Sequence, residues 1–235
     1  MVPTAVMAQE MNGEPADPNL GQNLNANQVV ATVNGEKITS QQLSQQANVN
    51  QMLQQISQVD QQLVQILANS EAGKTVLEEY QKAKLDSLID NVLLEQAAEE
   101  AGITLTQAEK DEIYNQQKKA ILQQNQMDEE QFLSILEQQG YENEKAYKKE
   151  FTNNPQIKVN KLIEEEVIAE INVSEEEMKE SYEQNKEAFS QSGQDASFEE
   201  LKPQLEQMLK QQKQSQAINQ YLEKLREDAE INKNI

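Results

Sequence analysis

The apolar residues of this chain fall mostly at helical spacing. Met52, Ile56, Val59, Leu63 and Ile66 step by 4, 3, 4 and 3, and that single stripe predicts one amphipathic helix from Thr39 to about Asn69. Leu77, Tyr80, Leu85, Leu88, Ile89, Val92 and Leu93 give a broader apolar face to a second helix. It should run from about Thr75 to Ala101 and stop at Gly102, a C′ glycine.

Helix starts are marked by a hydroxyl or carboxylate followed three residues later by Glu or Gln, the pattern in which each side chain caps the other's backbone N–H. Thr39 with Gln42, Thr106 with Glu109, Asp128 with Gln131, Ser174 with Glu177 and Ser197 with Glu200 all carry it. The helix after Asp128 should end at Gly140. Another should begin near Glu142, break at Asn153-Asn154-Pro155, and resume through Ile157, Leu162, Ile163, Val167 and Ile171. A final helix runs through Leu205, Leu209, Ile218, Leu222 and Leu225, with Pro203 predicting a kink.

One early segment has a different period. Val29-Val30-Ala31-Thr32-Val33, then Asn34-Gly35, then Glu36-Lys37-Ile38 reads as a β-hairpin with a two-residue turn. A lone hairpin is marginal, so a third strand is expected, and Ala229–Asn232 is the late candidate. The fold class is therefore mostly α, with a small three-stranded element, closed by the C-terminal helix.

Composition narrows the chemistry. The 235 residues contain 36 glutamines but only 7 glycines and 5 prolines, a helix-former's balance. With 41 acidic against 20 basic residues the net charge is −21, and no basic face exists for a phosphate backbone. His, Cys and Trp are absent, which removes thiol nucleophiles, histidine bases and the usual zinc sets; no catalytic residue, metal or cofactor is expected. No run of 18 apolar residues is present, so no transmembrane segment is expected.

Three constellations need weighing. Ala68 to Thr75, with Gly73-Lys74-Thr75, fits a loose phosphate-loop pattern, but it follows a helical stripe rather than a buried strand; an interhelix turn and no nucleotide site is the reading. Glu164-Glu165-Glu166 and Glu175-Glu176-Glu177 are read as solvated faces, because successive helical side chains point about 100° apart. Tyr80, Tyr114, Phe132, Tyr141, Tyr147 and Phe151 fall in the middle third of the chain, where helical spacing reads each first as core, and those left over once the core is filled could line an apolar groove.

Three segments in order carry a resemblance. The first is Val29 to Thr39. The second is Leu85 to Ala97, Ala101 to Thr106 and Glu109, followed by Glu130 to Leu133 and Leu136 to Gly140. The third is Ile171 to Met178 with Tyr182 and Phe189. Together they resemble the SurA/PrsA-type periplasmic and extracytoplasmic chaperones, whose helical part is also similar to that of trigger factor. Family members with a parvulin-type prolyl isomerase carry that module where this chain has only residues 190–197, eight residues against the roughly 50 a domain needs.

The resemblance implies a helical chaperone domain at 29–189, a short linker at 190–197, and a C-terminal helix and strand at 198–235 that pack back on the N-terminal part. Residues 1–28 are expected to be a disordered lead-in, and Val6-Met7-Ala8 before Gln9-Glu10 fits the remnant of a signal peptide. The implied activity is that of an extracytoplasmic, ATP-independent holdase for unfolded or nascent exported polypeptides, not of an enzyme; a homodimer is allowed. The rival reading is a helical adaptor for one folded partner. Large residues lying off the main helical stripes, Tyr114 beside the expected core position Ile113, Met127, Tyr141, Tyr147 and Phe151, are the candidate polypeptide-binding residues, and single replacement of them should leave stability nearly unchanged.

Overall fold

A computed structural model describes residues 26–191 and 197–235, with only the backbone described at 187–191. Much of the expected lead-in and linker, and the side chain of Phe189, therefore lie outside the described residues. The hairpin forms from β1 (Val29–Val33) and β2 (Glu36–Thr39), joined by Asn34 (φ 50°) and Gly35 (φ 85°), the pair of positive φ values such a turn requires. A third strand, β3 (Ile231–Lys233), pairs antiparallel with β1, so the sheet order is β2-β1-β3. It lies slightly later than Ala229–Asn232, because Glu230 is spent on the turn: its N–H donates to Asn34 Oδ1 at 2.8 Å, and its carbonyl accepts from Asn34 N–H at 2.9 Å. Val30, Ala31 and Val33 of the central strand are fully buried.

The helix expected over 39–69 is instead three: α1 (Ser40–Ala47), α2 (Val49–Ser57) and α3 (Gln61–Asn69). Asn48 turns left-handed (φ 43°) and its N–H closes α1 on Ser44 O, while the Asp60 carboxylate accepts from Leu63 N–H at 3.0 Å to start α3. Asn and Asp offer the backbone such local alternatives to helix, and an apolar period continuing across them does not reveal the breaks. Ala47, Val49 and Leu77 make a small core with Met52, Leu53 and Tyr80, whose hydroxyl donates to Ala47 O at 3.1 Å. Val59 (90 % exposed), Leu63 and Ile66 remain exposed.

The next helix, α4 (Glu71–Glu100), starts four residues earlier than expected. Ser70 Oγ accepts from Gly73 N–H at 3.0 Å, supplying the cap that lets the first turn form there. A Cβ on Gly73 would sit 2.2 Å from Ile66 O and 2.5 Å from Leu67 Cα, so only glycine permits this close turn between α3 and α4. Lys74 and Thr75, expected in an interhelix turn, instead lie within the first turns of α4, with their polar atoms directed back at Glu71.

The chain divides into two compact units, one ending at Ile89 and taking in Glu230–Ile235, the other Asp90–Ala229. The second holds α5 (Gln107–Gln124), α6 (Glu129–Gln138), α7 (Glu144–Thr152), α8 (Pro155–Leu162), α9 (Glu175–Gln191) and α10 (Phe198–Asp228). The expected reciprocal caps form at Thr106, Asp128, Ser174 and Ser197. Asn154 caps α8 at the Pro155 break, accepting from Gln156 N–H at 2.9 Å. The resumed helix ends sooner than expected, in a π-helical turn (Ile163–Val167) where Ile168 N–H reaches Ile163 O at 3.0 Å, and Ile171 lies beyond it. The last helix continues through Pro203 as one helix. Buried clusters within this unit include Ala97, Ala98, Ile103 and Leu162 with Tyr221 and Leu225, and Met178, Leu201 and Leu205 with Val173, Tyr182, Phe198 and Leu209. Arg226, the chain's one arginine, donates to Asp90 Oδ1 at 2.6 Å.

Candidate functional site

Helices α5, α6 and α7 each start from a side-chain cap, and each contributes rings to one cluster. Tyr147 on α7 is its hub, with ring centroids 6.1 Å from Tyr114, 6.0 Å from Phe132, 5.1 Å from Tyr141 and 6.3 Å from Phe151. The first three meet edge to face, the arrangement favoured by the charge distribution of the rings. Tyr114 also meets Phe151 at 6.2 Å. Tyr147 and Phe151 sit four apart on α7 and so share its inner face, which is why they stack.

Ion pairs frame the rings. Lys118 reaches Glu129 at 2.8 Å and Glu144 at 3.0 Å, and lies 5.7 Å from the centre of the Phe132 ring. Lys148 reaches Asp111 at 2.8 Å and lies 5.1 Å from the Tyr114 ring. The Tyr114 hydroxyl donates to Glu144 at 2.9 Å. Burial, with that bond second, pushes its pKa well up, so the phenol stays protonated. The bond from Lys118 lowers the Glu144 pKa, and the bond from Lys148 lowers that of Asp111. Tyr141 donates to Glu150 at 2.9 Å, which raises its own pKa.

Beside this cluster is a cleft of about 640 Å³ between α5, the α7–α8 break and the π-helical turn. Leu105, Ile113, Phe151 and Ile157 supply its apolar surface, and Gln116, Gln117, Asn154, Gln156 and Asn160 supply side-chain amides. Lys161 spans its wall, bonding Glu109 and donating to Thr104 O at 3.0 Å. The Lys161 bond and then the Thr106 cap hold the Glu109 pKa at about 2. Glu164 and Glu165 both line the cleft and are exposed, in keeping with a solvated face; the i→i+5 turn has more residues per turn, so successive side chains diverge less.

Of the five residues singled out from sequence, Tyr114, Tyr141, Tyr147 and Phe151 join the one ring cluster, and only Phe151 also lines the cleft. Met127 lies apart, in a second depression of about 620 Å³ at the α5–α6 turn with Gln126 and Ile135. Tyr114 corrects the expectation of exposure: it is 2 % exposed, because the rings of α7 close over it. Tyr141, Tyr147, Phe151 and Met127 are half-buried. Sequence reasoning missed Ile113, Leu105 and Ile157 as cleft residues; Ile113 had been counted as core, and its half-burial is set by the open side of α5 rather than by its spacing.

Among the described residues no group of three or more acidic side chains is placed to hold a metal ion, and no helix is long and apolar enough to cross a membrane.

Comparison with known proteins bears on this geometry. The family model described as a SurA-like N-terminal domain matches residues 18–163. A foldase protein PrsA of Caldanaerobacter subterraneus subsp. tengcongensis is 31 % identical over 161 residues, covering 68 % of this chain and 44 % of the relative. A foldase protein PrsA of Clostridium botulinum (strain Langeland) is 28 % identical over 166 residues, covering 71 % of this chain and 47 % of the relative. The chain thus spans about half the length of these relatives. A solved structure from work on the virulence factor PEB4 and the periplasmic protein Cj1289, two SurA-like chaperones of Campylobacter jejuni, superposes with a TM-score of 0.56 at 14 % identity. It covers 88 % of this chain and 99 % of that one, a likeness of fold.

Proposed function

The chain belongs to the family of SurA-like N-terminal domains, and from that premise we propose that it binds unfolded or partly folded exported polypeptides, without ATP, as a holdase. The observation that carries this reading is the cleft whose lining combines Leu105, Ile113, Phe151 and Ile157 with five side-chain amides, Gln116, Gln117, Asn154, Gln156 and Asn160. An unfolded segment brings two needs: apolar side chains seeking cover, and backbone N–H and C=O groups seeking partners. Apolar walls answer the first and Gln and Asn side chains, each both donor and acceptor, answer the second without regard to sequence. A cleft built this way gives contacts of modest strength, suited to release.

The ring cluster serves this reading as a support. Tyr147 and Tyr114 fix the α7 face from which Phe151 reaches the cleft. Residues 29–189 are the proposed polypeptide-binding domain, working outside the cytoplasm, and residues 190–197 stand where isomerase-bearing family members carry their module. Binding and release make and break no covalent bond, so the proposed activity is not enzymatic.

Aggregation of several unrelated unfolded proteins, followed by light scattering without ATP, tests the activity, and a photo-crosslinking residue at Gln117 tests the place. Protection of several substrates, with crosslinks from Gln117 and none from a control position at Gln212 on α10, is the expected result. Protection of none, with capture of one folded protein, would replace the holdase by an adaptor.

A further inference from the structure

We propose that this cleft prefers polypeptide segments in which apolar side chains alternate with cationic ones; the proposal rests on reading the cleft as a polypeptide-binding site. Its wall carries four carboxylates, Glu109, Glu112, Glu164 and Glu165, against one ammonium, Lys161. Lys161 is fully engaged: it bonds Glu109, donates to Thr104 O at 3.0 Å and lies 3.7 Å from Glu165. That leaves an excess of three negative charges facing whatever enters.

Glu112 and Glu164 are the two carboxylates open to a ligand. Glu112 is exposed and its oxygen accepts from the neutral Gln116 amide at 3.2 Å, with no cationic partner among the described residues. Glu164 is exposed on the π-helical turn and has no cationic partner among the described residues. Ile113, Ile157 and Phe151 line the same cleft as these two carboxylates, Ile113 next to Glu112 in sequence. A bound segment with apolar residues against them therefore has its intervening side chains beside carboxylates. Lysine or arginine there is attracted, and aspartate or glutamate is repelled. The apolar lining alone would not discriminate between them, so the selectivity comes from the carboxylates.

Three fluorescent peptides that share the same alternating Leu and Phe, with Lys, Ser or Glu between them, test this by anisotropy at low salt and at about 0.3 M salt. The Lys peptide should bind most tightly and the Glu peptide least, by about tenfold at low salt, with the gap narrowing as salt screens it. Glu112→Gln with Glu164→Gln should cut that ratio about threefold and leave the Ser peptide unchanged. Glu176→Gln with Glu206→Gln, an equal change of net charge on exposed positions of α9 and α10, should leave the ratio intact.

Equal loss in both double variants would assign the preference to the charge of the whole chain and overturn the proposal. So would a preference for Lys that neither variant alters, or equal binding of the Lys and Glu peptides. If the Ser peptide still binds and crosslinks at Gln117 in those cases, the cleft reading stands and only the charge preference falls. Failure of the Ser peptide to bind at either salt would remove both.

Discussion

The two units use the same helical pattern and hold it together by different means. From Ser40 to Ser70 the chain has one charged residue, Asp60, and eleven glutamines. Its three short helices rely on local caps and a small aliphatic core, and Val59, Leu63 and Ile66 stay in water. In Asp90–Ala229, rings and lysines fill the space between helices, and Lys118 alone ties α5 to both α6 and α7. An amphipathic stripe therefore specifies a helix in both places, but it specifies burial only where a partner element arrives with matching groups. Caps make helices; cross-linking side chains make a layer.

The largest expected effect that separates the units is at Tyr114. Tyr114→Ala removes a buried ring from the centre of the cluster and should cost about 3–5 kcal/mol, measured by urea denaturation followed through tyrosine near-ultraviolet dichroism. A loss below about 1 kcal/mol would put this ring back on the surface, where its place beside Ile113 first suggested it. In the other unit, Gly73→Ala forces a Cβ against the Ile66 carbonyl and should destabilise by about 1–3 kcal/mol. Hydrogen exchange should speed up in α3 and α4 near the turn; unchanged exchange there would show that α3 yields freely.

Acid sharpens the contrast further. Glu109, Glu175 and Glu177 are held at about 2, from an ordinary value of 4.5, chiefly by bonds from Lys161, Lys179 and Lys213. A carboxylate whose folded pKa is lowered stabilises the fold above the unfolded value and loses that contribution as the pH falls through the folded one. Stability of the second unit should thus be level above pH 4.5 and decline from there toward 2. Melting temperatures that do not change over this interval would show that these pairs add nothing. The smallest effect is expected at Val59, 90 % exposed: Val59→Ser should change stability by less than about 0.5 kcal/mol in chemical denaturation.

What could be read from sequence divides along the range of the interactions. The reciprocal caps at Thr39, Thr106, Asp128, Ser174 and Ser197 involve groups three residues apart, and all form. Asn34-Gly35 and the need of a two-stranded hairpin for company led to β3 within two residues of its observed start. The breaks at Asn48 and Asp60 escaped because the apolar period runs straight through them. Tyr114 and Ile113 were assigned to the wrong sides, since adjacent residues of α5 face about 100° apart and the choice between them is made by α7. Its Glu144 lies 30 positions on from Tyr114. The cleft gathers residues from α5, α7, α8 and the π-helical turn, and no single stripe announces it.

The sheet has a consequence in time. Glu230 and Asn34, which tie β3 to the hairpin turn, are 196 positions apart. Closing a flexible loop of that length opposes pairing by about 4–5 kcal/mol. As the polypeptide emerges from amino to carboxyl end, β1 must wait with one edge unpaired until nearly two hundred further residues have followed. Sheet completion is thus the event of highest contact order among the described residues and should form a slow folding phase. A chain of this architecture passes through a stage in which it is itself an unfinished polypeptide with an open strand edge.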